Sequence, residues 1–184
     1  MRFAVDAAGW VARARWCPSA NFNDRPRGAA PVLLVIHCIS LPRGSYGGPA
    51  ILQLFTNTLD CSGHPEFSDL AGLQVSSHFL IRRDGELIQF VSCLARAWHA
   101  GVSSWRGRPD CNDYAIGIEL EGIDDGPFSD AQYEVLAALQ TALIDRYPLR
   151  AQAAHSDVAP GRKTDPGTGF DWVRASALLV RDPG

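Results

Sequence analysis

Residues 31–37 read PVLLVIH. Five apolar side chains follow Pro31 without interruption, two valines and one isoleucine among them, and a histidine ends the run. A strand with one wet face alternates apolar and polar residues, whereas an unbroken apolar run describes a strand covered on both faces. The chain must therefore build layers on both sides of a sheet. His37 stands where that strand closes, and the sheet holds its side chain rigidly.

The rest of the chain supplies those layers. Residues 48–59 read as a short helix. Residues 76–92, SSHFLIRRDGELIQFVS, read as a hairpin turning at Asp84-Gly85, a dipeptide suited to a type I′ turn. Residues 114–121, YAIGIELE, alternate and read as a further strand. The longest helix is expected over 130–147: Ser129 and Gln132 form a capping box, Tyr133, Leu136, Ala137, Leu139, Leu143 and Ile144 recur at helical spacing, and Pro148 ends it. A last helix is expected over 170–181. Helices flanking a mixed sheet give an α/β (α+β) layered fold. With 184 residues and 46% apolar content, one domain over 1–184 is expected, burying roughly 70% of its unfolded surface. Two long irregular stretches remain, about 60–75 and 95–112, and loops of that length in a compact domain are functional or mobile.

A net charge of −3 offers no basic footprint, so a nucleic-acid partner is not expected. Asp6 and Arg13 interrupt the N-terminal stretch, which therefore lacks the apolar centre of a signal peptide, and no run approaches the roughly 18 apolar residues of a membrane span. A cytoplasmic monomer without membrane contact is expected. Five cysteines, an odd number without a C-x-x-C pair, read as reduced thiols rather than a disulfide framework.

The chemistry concentrates in HSDVAPGRKTDPG, residues 155–167, where proline and glycine forbid regular structure and stiffen the loop. Catalytic zinc takes three protein ligands and leaves a fourth position open for water, and histidine nitrogen and one carboxylate are suitable donors. Among His37, His64, His78, His99 and His155, the first and last are best placed, and Asp165 shares the stiff loop with His155. A histidine at a strand end is more often an ordinary hydrogen-bonding residue, and spacing alone does not decide between the two. Glu119 and Glu121 are two residues apart on one strand and share a face. Either suits a general base, or both face solvent. Lys163 suits an oxyanion partner, or is a solvated loop lysine.

Five strings in chain order carry a resemblance: VIHCIS with LPRGSYGGP, VSSHFLIRRDGELIQFV, RAWHAGVSSWRGR, CNDYAIGIELEG and HSDVAPGRKTDPG. The chain resembles the AmpD-type N-acetylmuramoyl-L-alanine amidases, zinc enzymes of bacterial cell-wall recycling that share a fold with the peptidoglycan recognition proteins. The resemblance implies Zn2+ held by His37, His155 and Asp165, Glu119 as the catalytic carboxylate, and Lys163 stabilising charge on the scissile carbonyl oxygen. It implies a small-molecule muropeptide substrate cut between the lactyl group of muramic acid and L-alanine. It also implies substrate contacts from Trp98, His99, Arg108 and Ala159. His78 reads as structural, His64 is assigned nothing, and Arg82, Arg83 and Glu86 read as a solvated hairpin edge.

Two departures from the family pattern stand out. Cys38 follows the first histidine where the family often has Asn, and strand alternation turns it to the opposite face. Gln74 and Asp110 occupy positions where the family places basic groups that grip a diaminopimelate residue, with Arg106 and Arg108 nearby as replacements. Some relatives on this fold lack zinc and only recognise peptidoglycan, so a non-catalytic recognition module is the competing reading. The complete donor set argues against it.

Overall fold

The computed structural model describes residues 2–176 and 178–184. The apolar run forms β3 (Leu33–Ile39), whose first five residues are buried. It lies in a six-stranded mixed sheet ordered β1 (Arg15–Trp16), β5 (Leu87–Gln89), β4 (Phe79–Ile81), β9 (Ala115–Glu121), β3 and β10 (Ala151–Ala154). β10, β3, β9 and β4 run parallel, and β5 turns back antiparallel to β4. Two small ribbons, β2 (Phe22–Asp24) with β6 (Ala95–Ala97) and β7 (Ser104–Trp105) with β8 (Arg108–Pro109), occupy part of the stretches expected to be irregular.

Strand alternation divides the core. Leu34, Ile36, Ile116, Ile118 and Leu120 face α2 (Asp130–Arg146) and pack with its Leu136, Leu139 and Leu143. Leu33, Val35, Ala115, Ala151 and Ala153 face the other way and pack with Trp105, Tyr114 and Val158. α2 begins with the expected capping box, Ser129 accepting from the Gln132 N–H and Gln132 returning to the Ser129 N–H. All seven residues of β9 are buried, so its non-apolar positions lie inside the protein.

Three expectations are corrected. The first helix is shorter than 48–59: α1 spans Ala50–Phe55, because the chain breaks out at Thr56 and takes a left-handed conformation at Asn57 (φ 59°). The hairpin turn is not type I′, which needs two left-handed residues, because only Gly85 is left-handed (φ 87°). The Gly85 N–H bonds the Arg82 carbonyl at 2.9 Å and the Arg82 N–H bonds the Glu86 carbonyl at 3.0 Å, a three-residue connection closed by its glycine. The final helix is a single turn, α4 (Trp172–Ala175), capped by Asp171, and Ala177 of the expected 170–181 helix lies outside the described residues. Beyond it the tail lies along β10. The Gln152 N–H bonds the Val180 carbonyl at 3.1 Å, and the Asp182 N–H bonds the Gln152 carbonyl at 2.8 Å. The Gln152 side chain adds bonds to the carbonyls of Ala175 and Leu179.

Arg82 is also corrected. It is 6% exposed and donates to Glu121 at 2.8 Å and to the Gly48 carbonyl at 2.9 Å. Glu121, 1% exposed, further accepts the Gly47 N–H at 2.7 Å. A buried carboxylate is tolerable only with such partners, so Glu121 is spent on structure and ties the loop after β3 to the hairpin. Glu121→Leu removes the buried carboxylate partner of Arg82 and leaves it only the partly exposed Glu86 at 3.4 Å; it is expected to lower stability by up to about 3–5 kcal/mol in urea unfolding, with the Arg82→Met, Glu121→Leu pair recovering much of that loss.

Candidate metal centre and catalytic cleft

Parallel register builds the site. His37 on β3 lies abreast of Glu119 on β9. β10 pairs Ala154 with Ile36, so the next residue, His155, comes level with His37. Three side chains thus stand side by side at the carboxyl ends of three adjacent strands. His155 opens the short helix α3 (His155–Val158), and the stiff loop then folds back, the Ser156 N–H bonding the Asp165 carbonyl at 3.0 Å. That return delivers Asp165 to the two histidines.

His37 Nδ1 and His155 Nδ1 are 2.9 Å apart, and Asp165 Oδ2 is 3.2 Å from the first and 3.0 Å from the second. His155 Nε2 lies 3.1 Å from the Ala100 carbonyl, which can only accept, so Nε2 carries a proton and Nδ1 is the nitrogen turned inward. Burial, and then the neighbouring His155, push His37 down to about 4, so it is neutral near pH 7. Two inward ring nitrogens and a carboxylate oxygen converge on one point, an arrangement that a cation between them would satisfy. Zinc bonds of about 2.0–2.2 Å at tetrahedral angles separate donor atoms by roughly 3.3 Å, close to the spacings found. The donor set fits a metal ion.

Beside it, Glu119 is 8% exposed, and its Oε2 is buried without a hydrogen-bond partner. Burial, and then the charge of Asp165, raise its carboxyl well above the usual range, with Lys163 opposing. A carboxylate held this way has a strong affinity for a proton. Lys163 follows a turn in which the Arg162 and Lys163 N–H groups both bond the Ala159 carbonyl at 3.2 Å.

His37, Glu119, His155, Lys163 and Asp165 line one cleft of about 230 Å3 together with Trp98 and His99, and Leu54, Phe55 and Leu73 form its apolar wall. Cys38 packs toward the α2 side of the sheet, as alternation requires, yet still borders the cleft because the strand ends there. Trp98 is steadied by its indole N–H on Asn23 at 2.7 Å. Two residues implied to touch substrate lie elsewhere. Arg108 stacks its guanidinium over the Tyr114 ring at 3.9 Å, and Ala159 is buried at 4% exposure, where it holds the lysine turn. Arg106 pairs with Asp182.

Several supporting residues escaped the sequence reading. Asn112 accepts the N–H groups of His99 and Ala100 at 3.2 and 2.8 Å and sets the 98–100 segment. Arg25 reaches from the first loop to the carbonyls of Asn112 and Ala115 at 3.0 and 2.9 Å. Neither carries a local signal, because their partners are about 90 residues away or on another loop. Gly117, inside a strand, did carry one, since glycine there marks a close approach.

The comparisons with known proteins agree with this geometry. Residues 27–168 match the family model described as N-acetylmuramoyl-L-alanine amidase. The chain belongs to that family. It is 56% identical over 174 residues to 1,6-anhydro-N-acetylmuramyl-L-alanine amidase AmpD of Citrobacter freundii, covering 94% of this chain and 93% of that one. A crystal structure of a selenomethionine AmpD derivative superposes with a TM-score of 0.90 at 53% identity, covering 95% of this chain and 98% of that one. The amidase AmiD of E. coli, solved with anhydro-N-acetylmuramic acid-L-Ala-D-γ-Glu-L-Lys, superposes with a TM-score of 0.56 at 31% identity, over 93% of this chain and 63% of that one. The layered α/β amidase fold expected from the sequence is the fold observed. No helix among the described residues is long and apolar enough to cross a membrane.

His78 sits beneath this cleft, fully buried. Its Nδ1 accepts the Gly117 N–H at 3.0 Å, and its Nε2 donates to the Ala95 carbonyl at 3.2 Å. Burial, and then Arg25, push it down to about 3. The unfolded chain binds this proton near pH 6.5 while the folded chain resists it, so stability is complete above that value and falls as pH drops, by up to about 1.4 kcal/mol per pH unit. Urea unfolding between pH 7 and 4 is expected to show a shallower acid loss for His78→Gln than for the parent.

Proposed function

We propose that this chain is a zinc-dependent amidase that hydrolyses the amide between the lactyl group of anhydro-N-acetylmuramic acid and L-alanine in soluble muropeptides. The observation that carries the reading is the convergence of His37, His155 and Asp165 beside an unpartnered buried carboxylate and a lysine in one cleft. The family membership and the relatives' activities support it.

His37, His155 and Asp165 would hold the zinc. Bound there, zinc supplies a Lewis acid that polarises the carbonyl and brings water's pKa toward neutrality. Glu119 accepts the proton of the attacking water, because burial has raised its proton affinity, and returns it to the departing amine of L-alanine. The Lys163 ammonium is placed to donate to the carbonyl oxygen as negative charge collects there. The Trp98 face borders the same space and suits a sugar ring. Residues 1–184 act as one amidase domain, a cytoplasmic monomer in peptidoglycan recycling, with no nucleic-acid or membrane partner.

Chelation is expected to abolish release of free peptide from anhydromuramyl tripeptide, and added zinc to restore it. Glu119→Gln removes the proton acceptor while keeping the shape, and is expected to lower kcat by about 10²–10⁴-fold with KM little changed, read by chromatography of the released peptide. Peptide-stem binding without hydrolysis in zinc-loaded protein would favour the recognition-module reading instead.

The stem beyond L-alanine has weaker anchorage. Gln74 borders a recess with Leu54, Asn57, Leu70 and Leu73, and Asp110 holds a left-handed turn (φ 58°). Arg106 and Arg108 are engaged with Asp182 and Tyr114. Dipeptide and tripeptide stems are therefore expected to be cut with similar kcat/KM, and a large loss on shortening the stem would overturn this.

A further inference from the structure

Each histidine of the cluster turns one ring nitrogen inward and the other outward, and the two outward partners differ. His155 Nε2 meets a backbone carbonyl, that of Ala100, at 3.1 Å. His37 Nε2 meets a second imidazole, His99 Nδ1, at 3.0 Å, with the rings edge to face at 88°. A carbonyl always accepts, but an imidazole nitrogen accepts only when the proton is on its other nitrogen. If His99 Nδ1 accepts, His99 Nε2 carries the proton. That atom is buried with no partner, on a ring that lines the cleft.

The ring's place is built for it. A Cβ on Gly117 would stand 2.5 Å from His99 Cγ and 2.7 Å from its Nδ1. Gly117 does not have positive φ, so its backbone is one that any residue adopts. The glycine is needed for the imidazole lying over it. Asn112 fixes the main chain of the same segment from the other side.

We propose that His99 is a positioning residue for His37: its Nδ1 accepts the His37 Nε2 proton and so presents the inward Nδ1 as a free lone pair, while Gly117 is the gap in the sheet surface that admits the ring. The outward partner of a metal-bound histidine sets its tautomer and orientation and raises its basicity. In this arrangement the His99 Nε2 proton stays buried, so the ring acts on the cluster through its Nδ1 alone. The inference rests on the zinc reading of the cluster.

The test is the zinc dissociation constant, measured by competition with a chromophoric chelator, on the whole chain and on His99→Phe, His99→Asn and Gly117→Ala. His99→Phe keeps a ring without an acceptor and is expected to weaken zinc binding about 10–100-fold. His99→Asn places an oxygen near the Nδ1 position and is expected to recover most of that loss. Gly117→Ala, which displaces the ring, is expected to weaken binding in the same direction. In proton spectra of the zinc-loaded protein, a slowly exchanging His37 Nε2 proton is expected in the parent and His99→Asn and absent in His99→Phe. A His99→Phe variant with parental zinc affinity, or one that lowers only the stability of the chelated protein, overturns the inference and leaves the amidase reading standing. A parent chain that binds no zinc overturns both.

Discussion

The parallel pairing of β3 with β9 on one side and β10 on the other is the constraint on which the site depends. It brings Glu119, His37 and His155 level although 118 residues separate the two histidines. A one-residue slip in either pairing would turn a side chain to the opposite face. Such a slip is opposed by the packing of Leu34, Ile36, Ile116 and Ile118 against α2. The hydrophobic layer that stabilises the sheet is therefore also the device that aligns the donors.

Burial does the rest of the electrostatic work. The same apolar surroundings that keep His37 neutral raise the proton affinity of Glu119, so one low-dielectric setting acts on a base and an acid in complementary directions. Glu121, two residues along and on the same face, is equally buried but is neutralised by Arg82 and backbone N–H groups. What separates the two carboxylates on one strand is the presence or absence of partners.

The regular elements were legible because their signals are local. The apolar run of β3, the capping box of α2 and the glycine of the β4–β5 hairpin are written within a few residues. HSDVAPGRKTDPG revealed a stiff loop and its family, and so two of the three donors that the structure brings together. The choice between Glu119 and Glu121 was not legible from spacing, since both face the same way and only a partner from another element separates them. Arg82 looked like a hairpin-edge residue for the same reason. The stacking of Arg108 over the Tyr114 ring is a tertiary contact that no local pattern shows, and Ala159 acts through its carbonyl, a group every residue has. Long-range polar partners are what the sequence conceals.

The tail that runs beside β10 has a further consequence. The outermost strand of a sheet displays an open row of backbone donors and acceptors, a template on which other chains can assemble. Here Val180 and Asp182 occupy part of that row, and the Gln152 side chain anchors the segment from within. The opposite margin, β1, is only two residues long. Each margin of the sheet thereby offers a foreign strand little continuous backbone to pair with. Because β10 leads directly into His155, the segment that covers its edge at Gln152 also steadies the strand that carries one of the three clustered donors.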